Sequence, residues 1–295
     1  MALLWGKEKK EAKEQSSIPN QARVLTFLNQ KGGVGKTTMA YHTAFALKQK
    51  GHKVLCIDLD PQANLSLLFG IDTHLTGHSH IHHLLINSIR ELKHLHHSDA
   101  LWTDVKESLN GVDIIPAGQE LSGFELTVAA INMPRQLVLK RFLEKSGILK
   151  MYDFVVIDAP PTLGLVVINI LCASHGVMVP FRPDEFSKKG LGHLNEVLED
   201  VAEMGVSEVP RVIGYIPNLV DLRRKQENDD LKRIDHGIKE LSRMKEGVLV
   251  DPFFNRASLV KCQAQKKSVY DFNSKEFRPL QNQFNQIADL IDQWH

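Results

Sequence analysis

The chain holds 295 residues, enough to bury a large core, and its 36 basic and 35 acidic residues leave a formal net charge of +1. So even a balance excludes whole-molecule attraction to nucleic acid or to an anionic membrane, and any such contact must be a local patch. Cys56, Cys172 and Cys262 show no C-x-x-C spacing and no apolar run reaches roughly 18 residues, which argues for reduced thiols in a cytoplasmic protein without a cysteine-held cluster or a membrane span.

Residues 1 to 20 read as an extension of their own. The apolar tip Met1 to Trp5 precedes a mixed-charge run, Gly6 to Glu14. Such a tip is either a weak membrane or partner anchor or the start of a flexible charged tail, and the tail is the expectation. Next, Val24 to Leu28 predict a buried strand and Met39 to Lys48 a helix. Between them runs Asn29-Gln30-Lys31-Gly32-Gly33-Val34-Gly35-Lys36-Thr37-Thr38. Strand, glycine-rich loop and helix form the setting of a phosphate-binding loop. The glycines let backbone N–H groups turn inward around an anion, and the helix N-terminus adds its positive end. In that motif Lys36 reaches the β- and γ-phosphates and the Thr37 hydroxyl sits on Mg²⁺. The pattern G-x-x-x-x-G-K-[ST] is not met in full. Gln30 stands where its first glycine belongs, and a second lysine, Lys31, precedes Lys36 by five residues.

The segment from Lys53 to Gln62 predicts a buried strand ending in two carboxylates, Asp58 and Asp60. An apolar run of this kind fits a parallel sheet covered on both faces, and such sheets place ligands at the carboxyl ends of their strands. Residues 71 to 100 carry His74, His78, His80, His82, His83, His94, His96 and His97 out of fourteen histidines. A solvated helical region is the expectation. Several of the spacings could bind a metal, although no cysteine or carboxylate set completes a convincing site, so a metal site and a pH-responsive surface are the alternatives.

Tyr152 to Pro161 is another apolar strand, ending in Asp158; Gly176 to Pro180 and Arg211 to Asn218 read as later strands. Basic side chains gather at Arg223, Arg224, Lys225, Lys232 and Arg233, among Glu227, Asp229, Asp230 and Asp235. They gather again at Arg256, Lys261, Lys266 and Lys267. The stretch from Asn282 to Trp294 places Phe284, Ile287, Leu290, Ile291 and Trp294 at helical spacing. It holds Asp289 and Asp292 and no Lys or Arg, so anionic lipid repels it and a core-packing helix is expected.

The loop K-G-G-V-G-K-T-T resembles the deviant phosphate loop of the ParA/MinD/Soj ATPases. Three further segments extend the resemblance over roughly residues 22 to 290: D-L-D-P-Q at 58–62, the Walker B-like strand ending in Asp158, and D-P-F-F-N-R-A-S-L-V-K-C at 251–262. In the last, Lys261 replaces the family's usual glutamate, and Lys266 a glycine further on.

The resemblance implies an α/β fold of P-loop NTPase type, a mostly parallel central sheet with helices on both faces, and residues 21–295 as one ATPase domain. ATP/ADP and Mg²⁺ are the implied cofactors. Residues 31 to 38, Lys31, Gly32, Gly33, Val34, Gly35, Lys36, Thr37 and Thr38, would cradle the phosphates. Lys36 would act in cis, while Lys31 crosses a dimer interface to the partner's nucleotide. Asp60 would orient the attacking water. Asp58 and Asp158 would support the magnesium shell together with Thr37, Asp158 through a coordinated water. Asn218 is the candidate contact to adenine, with a turn asparagine as the equal alternative.

For the output, the resemblance implies an ATP-dependent homodimer that binds non-specific double-stranded DNA through Arg223, Arg224, Arg256, Lys261, Lys266 and Lys267. A solvated face of mixed charge is the alternative for the first of these segments. A ParB-like centromere-binding partner would stimulate slow hydrolysis, in a cytoplasmic, nucleoid-associated protein that moves a plasmid or chromosome. Two other outputs remain open: positioning of another cargo, such as a chemotaxis or secretion cluster, and MinD-like membrane regulation, against which the acidic C-terminal helix speaks.

Overall fold

The computed structural model describes residues 21–73, 79–95, 101–184, 187–205, 207–221, 225–254 and 257–294, with the backbone alone at 93–95 and 225–228. The 1–20 extension and His74, His78, His96 and His97 lie outside the described residues.

Eight strands form one sheet: β1 (Arg23–Phe27), β2 (Val54–Asp58), β3 (Glu107–Leu109), β4 (Val112–Ile115), β5 (Phe154–Asp158), β6 (Gly176–Phe181), β7 (Arg211–Pro217) and β8 (Val248–Leu249). Their order is β3-β4-β2-β5-β1-β6-β7-β8. Every pairing is parallel except that of β3 with β4. The expected mostly parallel sheet is therefore present.

The unbroken apolar runs follow from burial on both sides. Along β2, Leu55 and Ile57 join one apolar cluster while Val54 and Cys56 join the other. Along β5, Val155 and Ile157 divide from Phe154 and Val156 in the same way. Alternate side chains stand on opposite faces of a strand, so a sheet covered by helices on both faces must be apolar at every position. For the same reason the helix α1 (Lys36–Gln49) is apolar nearly all round and buried from Thr38 to Leu47.

Register sets the carboxylates. Asp58 and Asp158 are paired positions of neighbouring parallel strands, and Phe27, which launches the glycine loop, is level with Asp158 on the other side. Three strand ends thus deliver the loop and both aspartates to one edge of the sheet, the edge at which such sheets hold ligands.

The C-terminal helix Arg278–Gln293 buries Leu280, Phe284, Ile287, Ala288 and Ile291 against α1, as the spacing predicts. Its two aspartates meet cations of the protein itself. Lys50 Nζ lies 2.5 Å from Asp289 Oδ1, and Arg23 Nη2 lies 3.3 Å from Asp292 Oδ1. Arg23 donates to the carbonyls of Ile291, Asp292 and Trp294 at 3.1, 3.2 and 2.6 Å. That contact satisfies part of the helix's terminal carbonyl set and opposes its negative end. Among the described residues no helix is long and apolar enough to cross a membrane.

Candidate functional site

The chain leaves β1 at Phe27 and re-enters helix at Lys36. Asn29 shapes the start of the intervening loop: its Nδ2 donates to Pro180 O at 2.8 Å and its Oδ1 accepts from Lys31 N at 2.9 Å. Gly33 and Gly35 hold φ values of 72° and 93°, a region that favours glycine. At Gly35 a side chain is doubly excluded, because a Cβ would stand 2.2 Å from Asn218 Nδ2. Asn218, expected at the adenine, is occupied at the loop: its Nδ2 donates to Val34 O at 2.8 Å. Its buried Oδ1 has no hydrogen-bond partner and is the atom left for a ligand.

Lys36 and Asp60 are each 7% exposed, and both line a cleft of about 600 Å³ together with Gly32, Gly33, Gly35, Thr37 and Thr38. The opposite wall is Phe254, Leu259, Val260 and Gln263. Lys36 Nζ donates to Lys31 O at 3.3 Å. Desolvation lowers its pKa, and the nearby Asp158 and Asp60 charges pull it back up. Asp60 Oδ1 accepts from Gln62 N at 3.0 Å, which fixes the carboxylate at the cleft wall.

Asp158 is fully buried, and no hydrogen bond of normal geometry reaches either oxygen. Burial, then repulsion from Asp58, lifts its pKa well above the usual carboxylate range, while the neighbouring Thr37 hydroxyl and Lys36 favour the charged form. Buried unpaired carboxylates are costly, and a cation bound beside them removes the cost. The donor set, carboxylate and hydroxyl oxygens, suits a hard divalent cation such as Mg²⁺.

Asp58 has a different first task from the one expected. Its Oδ1 accepts from Asp60 N at 3.1 Å. Its Oδ2 accepts from Ser66 N at 2.8 Å and Ser66 Oγ at 2.7 Å, at the start of α2 (Asn64–Leu68). Asp58 thus builds the turn that presents Asp60, and any share in a magnesium shell must be taken alongside these bonds.

Sequence reasoning missed Ser66, Gln263 and Asp184. Ser66 Oγ also accepts from Ala117 N at 3.0 Å, so one hydroxyl ties β2 to the loop after β4. Ser66→Ala is expected to lower folding stability by about 1–3 kcal/mol, because it strands a buried N–H and removes a carboxylate donor. A thermal melt unchanged from the parent would contradict that account. Gln263 Nε2 donates to Thr38 Oγ1 at 2.6 Å, bridging the glycine loop to the far wall. Asp184 takes the Lys31 ammonium in an ion pair within the same chain. No local signal marks these residues; each meets its partner only after the sheet is assembled.

The basic candidates divide. Arg223, Arg224 and Arg256 lie outside the described residues. Lys261, Lys266 and Lys267 are exposed in and just beyond the helix Ala257–Gln265. Lys261 Nζ is held 3.3 Å from Glu276 Oε1 and lies over the rings of Phe272 and Phe277 at 5.5 Å. Lys266 holds a φ of 51° where the resemblance expects glycine, and the backbone conformation accounts for that preference.

Residues 22–209 match the AAA_31 family model, described as an AAA domain. The chromosome-partitioning ATPase Soj of Treponema pallidum is 32% identical over 219 residues, which are 72% of this chain and 77% of that protein. Among solved structures, a cobyrinic acid a,c-diamide synthase from Mycobacterium smegmatis with bound ADP and magnesium aligns with a TM-score of 0.71. It is 28% identical, and the alignment covers 91% of this chain and 93% of the other. A variant of Cyanothece McdA in complex with ATP aligns with a TM-score of 0.76 over 94% of this chain and 98% of the other; at 20% identity that likeness bears on the fold alone.

Proposed function

Because the chain belongs to the ParA/Soj family of P-loop partition ATPases, we propose that it is an ATP-dependent dimerising switch that binds non-specific double-stranded DNA and moves a plasmid or chromosome. The observation that carries the reading is the meeting of Lys36, Asp60 and the buried Asp158 below one glycine loop, where both carboxylates act on the Lys36 ammonium.

The residues divide the work of phosphoryl transfer, in which a protein mainly positions groups and offsets developing charge. Backbone N–H groups of residues 32–36 face the β- and γ-phosphates of ATP. Lys36 donates to the transferred group. Asp60 accepts a hydrogen bond from the attacking water and sets its line of approach. Thr37, and Asp158 through a coordinated water, would hold Mg²⁺, which would offset charge on the phosphate oxygens. Asn218 Oδ1 accepts from the adenine amino group. Lys31 leaves Asp184 and reaches the nucleotide of a second copy, so ATP binding and dimerisation are thermodynamically coupled.

In this reading residues 21–295 act as one ATPase domain, and residues 1–20 are a flexible extension. The dimer lies on the nucleoid in the cytoplasm through Arg223, Arg224, Arg256, Lys261, Lys266 and Lys267, until a ParB-like centromere-binding protein accelerates slow hydrolysis.

The test is binding of Asp60→Ala to duplex DNA of arbitrary sequence, with ATP and with ADP, across a salt series. Binding with ATP alone that weakens steeply with salt supports the reading, because each phosphate contact releases a counterion. A protein that dimerises with ATP yet ignores DNA contradicts it and moves the search to a protein matrix.

A further inference from the structure

A histidine cluster that the nucleotide site does not use lies at the same edge of the sheet. The helix α3 (Ile81–Asn87) starts on His80 as its cap, and its first turn brings His83 to the same side. The loop after β4 leads through Gly118 into a turn, Gln119–Gly123, that carries Glu120. Ile81 N donates to Pro116 O at 2.9 Å and fixes the helix start against that loop.

This arrangement completes a set that the histidine-rich segment alone lacks. His80 Nε2 lies 2.8 Å from Glu120 Oε2, and the His80 and His83 ring centres are 4.2 Å apart. One ligand atom from each of His80, His83 and Glu120 lies within 4.8 Å of the others. His80 is not solvated, as the sequence suggested, but 2% exposed. The backbone makes room for its ring, because a Cβ on Gly118 would stand 2.2 Å from Nε2.

A packing histidine with one ion pair does not account for the cluster. His80 Nδ1 is buried without a hydrogen-bond partner, and the His80 and His83 rings lie close together at an interplanar angle of 34°. His83 Nδ1 accepts from His80 N at 3.3 Å, which holds the two rings together at the helix start; that long bond gives way, or the ring proton changes nitrogen, when His83 takes a cation. Two imidazoles and one carboxylate, with a fourth position left to water, match a borderline cation of the zinc class. Magnesium and calcium prefer all-oxygen shells.

We propose that His80, His83 and Glu120 bind one zinc-class divalent cation, at a site separate from the magnesium position beside Asp158. His82 lies further out, its ring centre 6.3 Å from that of His80, and is not one of the three ligands.

The test uses the full chain, stripped with a chelator and free of nucleotide, titrated with Zn²⁺ against a chromophoric competitor. Co²⁺ substitution reports the coordination geometry through its visible absorption. One equivalent of zinc is expected to bind, with His83→Ala and Glu120→Gln each weakening it about tenfold or more. A variant with alanine at His94, His96 and His97 should bind as the parent does. His80 is left intact because its burial puts folding at risk, and far-ultraviolet circular dichroism checks that the other variants fold. Parent affinity in His83→Ala, loss of binding in the triple variant, or no stoichiometric zinc at micromolar concentration would each overturn the site. None of these readouts depends on ATP, so the nucleotide reading can fail while this one stands.

Discussion

Lys36→Ala should weaken ATP binding so far that concentrations just saturating the parent leave most of the variant empty, measured as loss of a fluorescent ATP analogue's signal. The ammonium is buried, 7% exposed, between Asp158 and Asp60 on one side and the loop carbonyl of Lys31 on the other. A polyanion entering there needs that charge twice, as its own partner and as a screen against the two carboxylates. Truncating one partner of a buried charge pair costs about 2–5 kcal/mol, or roughly 30- to 5,000-fold in affinity. The fold should survive, because α1 is held by apolar residues from Met39 to Leu47 and the ammonium makes a single hydrogen bond. A folded variant that binds ATP as the parent does would remove Lys36 from the site.

Asp60→Ala separates binding from turnover. Asp60 lines the cleft and is oriented by Gln62 N, whereas Asp58 beneath it supports the turn. Loss of a positioned carboxylate that handles the attacking water costs about 10²–10⁴-fold in rate. Nucleotide affinity should change little, and removing a negative charge beside the phosphates should if anything raise it. Single-turnover hydrolysis next to equilibrium binding measures both. Hydrolysis at the parent rate would assign the water to another group, and a matching loss of affinity would make Asp60 a binding residue.

The sequence made some parts of this site legible and left others hidden, for a physical reason. The glycine loop was readable because strand, loop and helix are consecutive and each imposes its own residue types. The ends of β2 and β5 were readable because a sheet covered on both faces forces apolar residues until the chain meets the cleft. What each carboxylate does was not readable. Asp58 and Asp60 look alike in sequence, and only the return of the chain at Ser66 shows that one is a strut and the other a wall of the cleft. Asn218 stands at the end of β7, and its donor is bound to Val34, 184 residues away. No carboxylate set in the histidine segment completes a convincing site because Glu120 arrives from beyond β4. Basic side chains were easy to find, yet the pairing of Lys261 with Glu276 depends on how two later segments meet.

The order of strands has a consequence for synthesis. β1 and β2 never touch; β5 lies between them, and β1 takes its other neighbour from β6. A nascent chain on the ribosome that has displayed the whole glycine loop therefore has no strand to pair with it until residues 154–158 emerge. The second edge waits for residues 176–178. Such late, long-range closure is slow and leaves the early apolar strands exposed while translation continues. Prematurely terminated products should accordingly bind no nucleotide and should depend on chaperones, although they contain every residue of the loop.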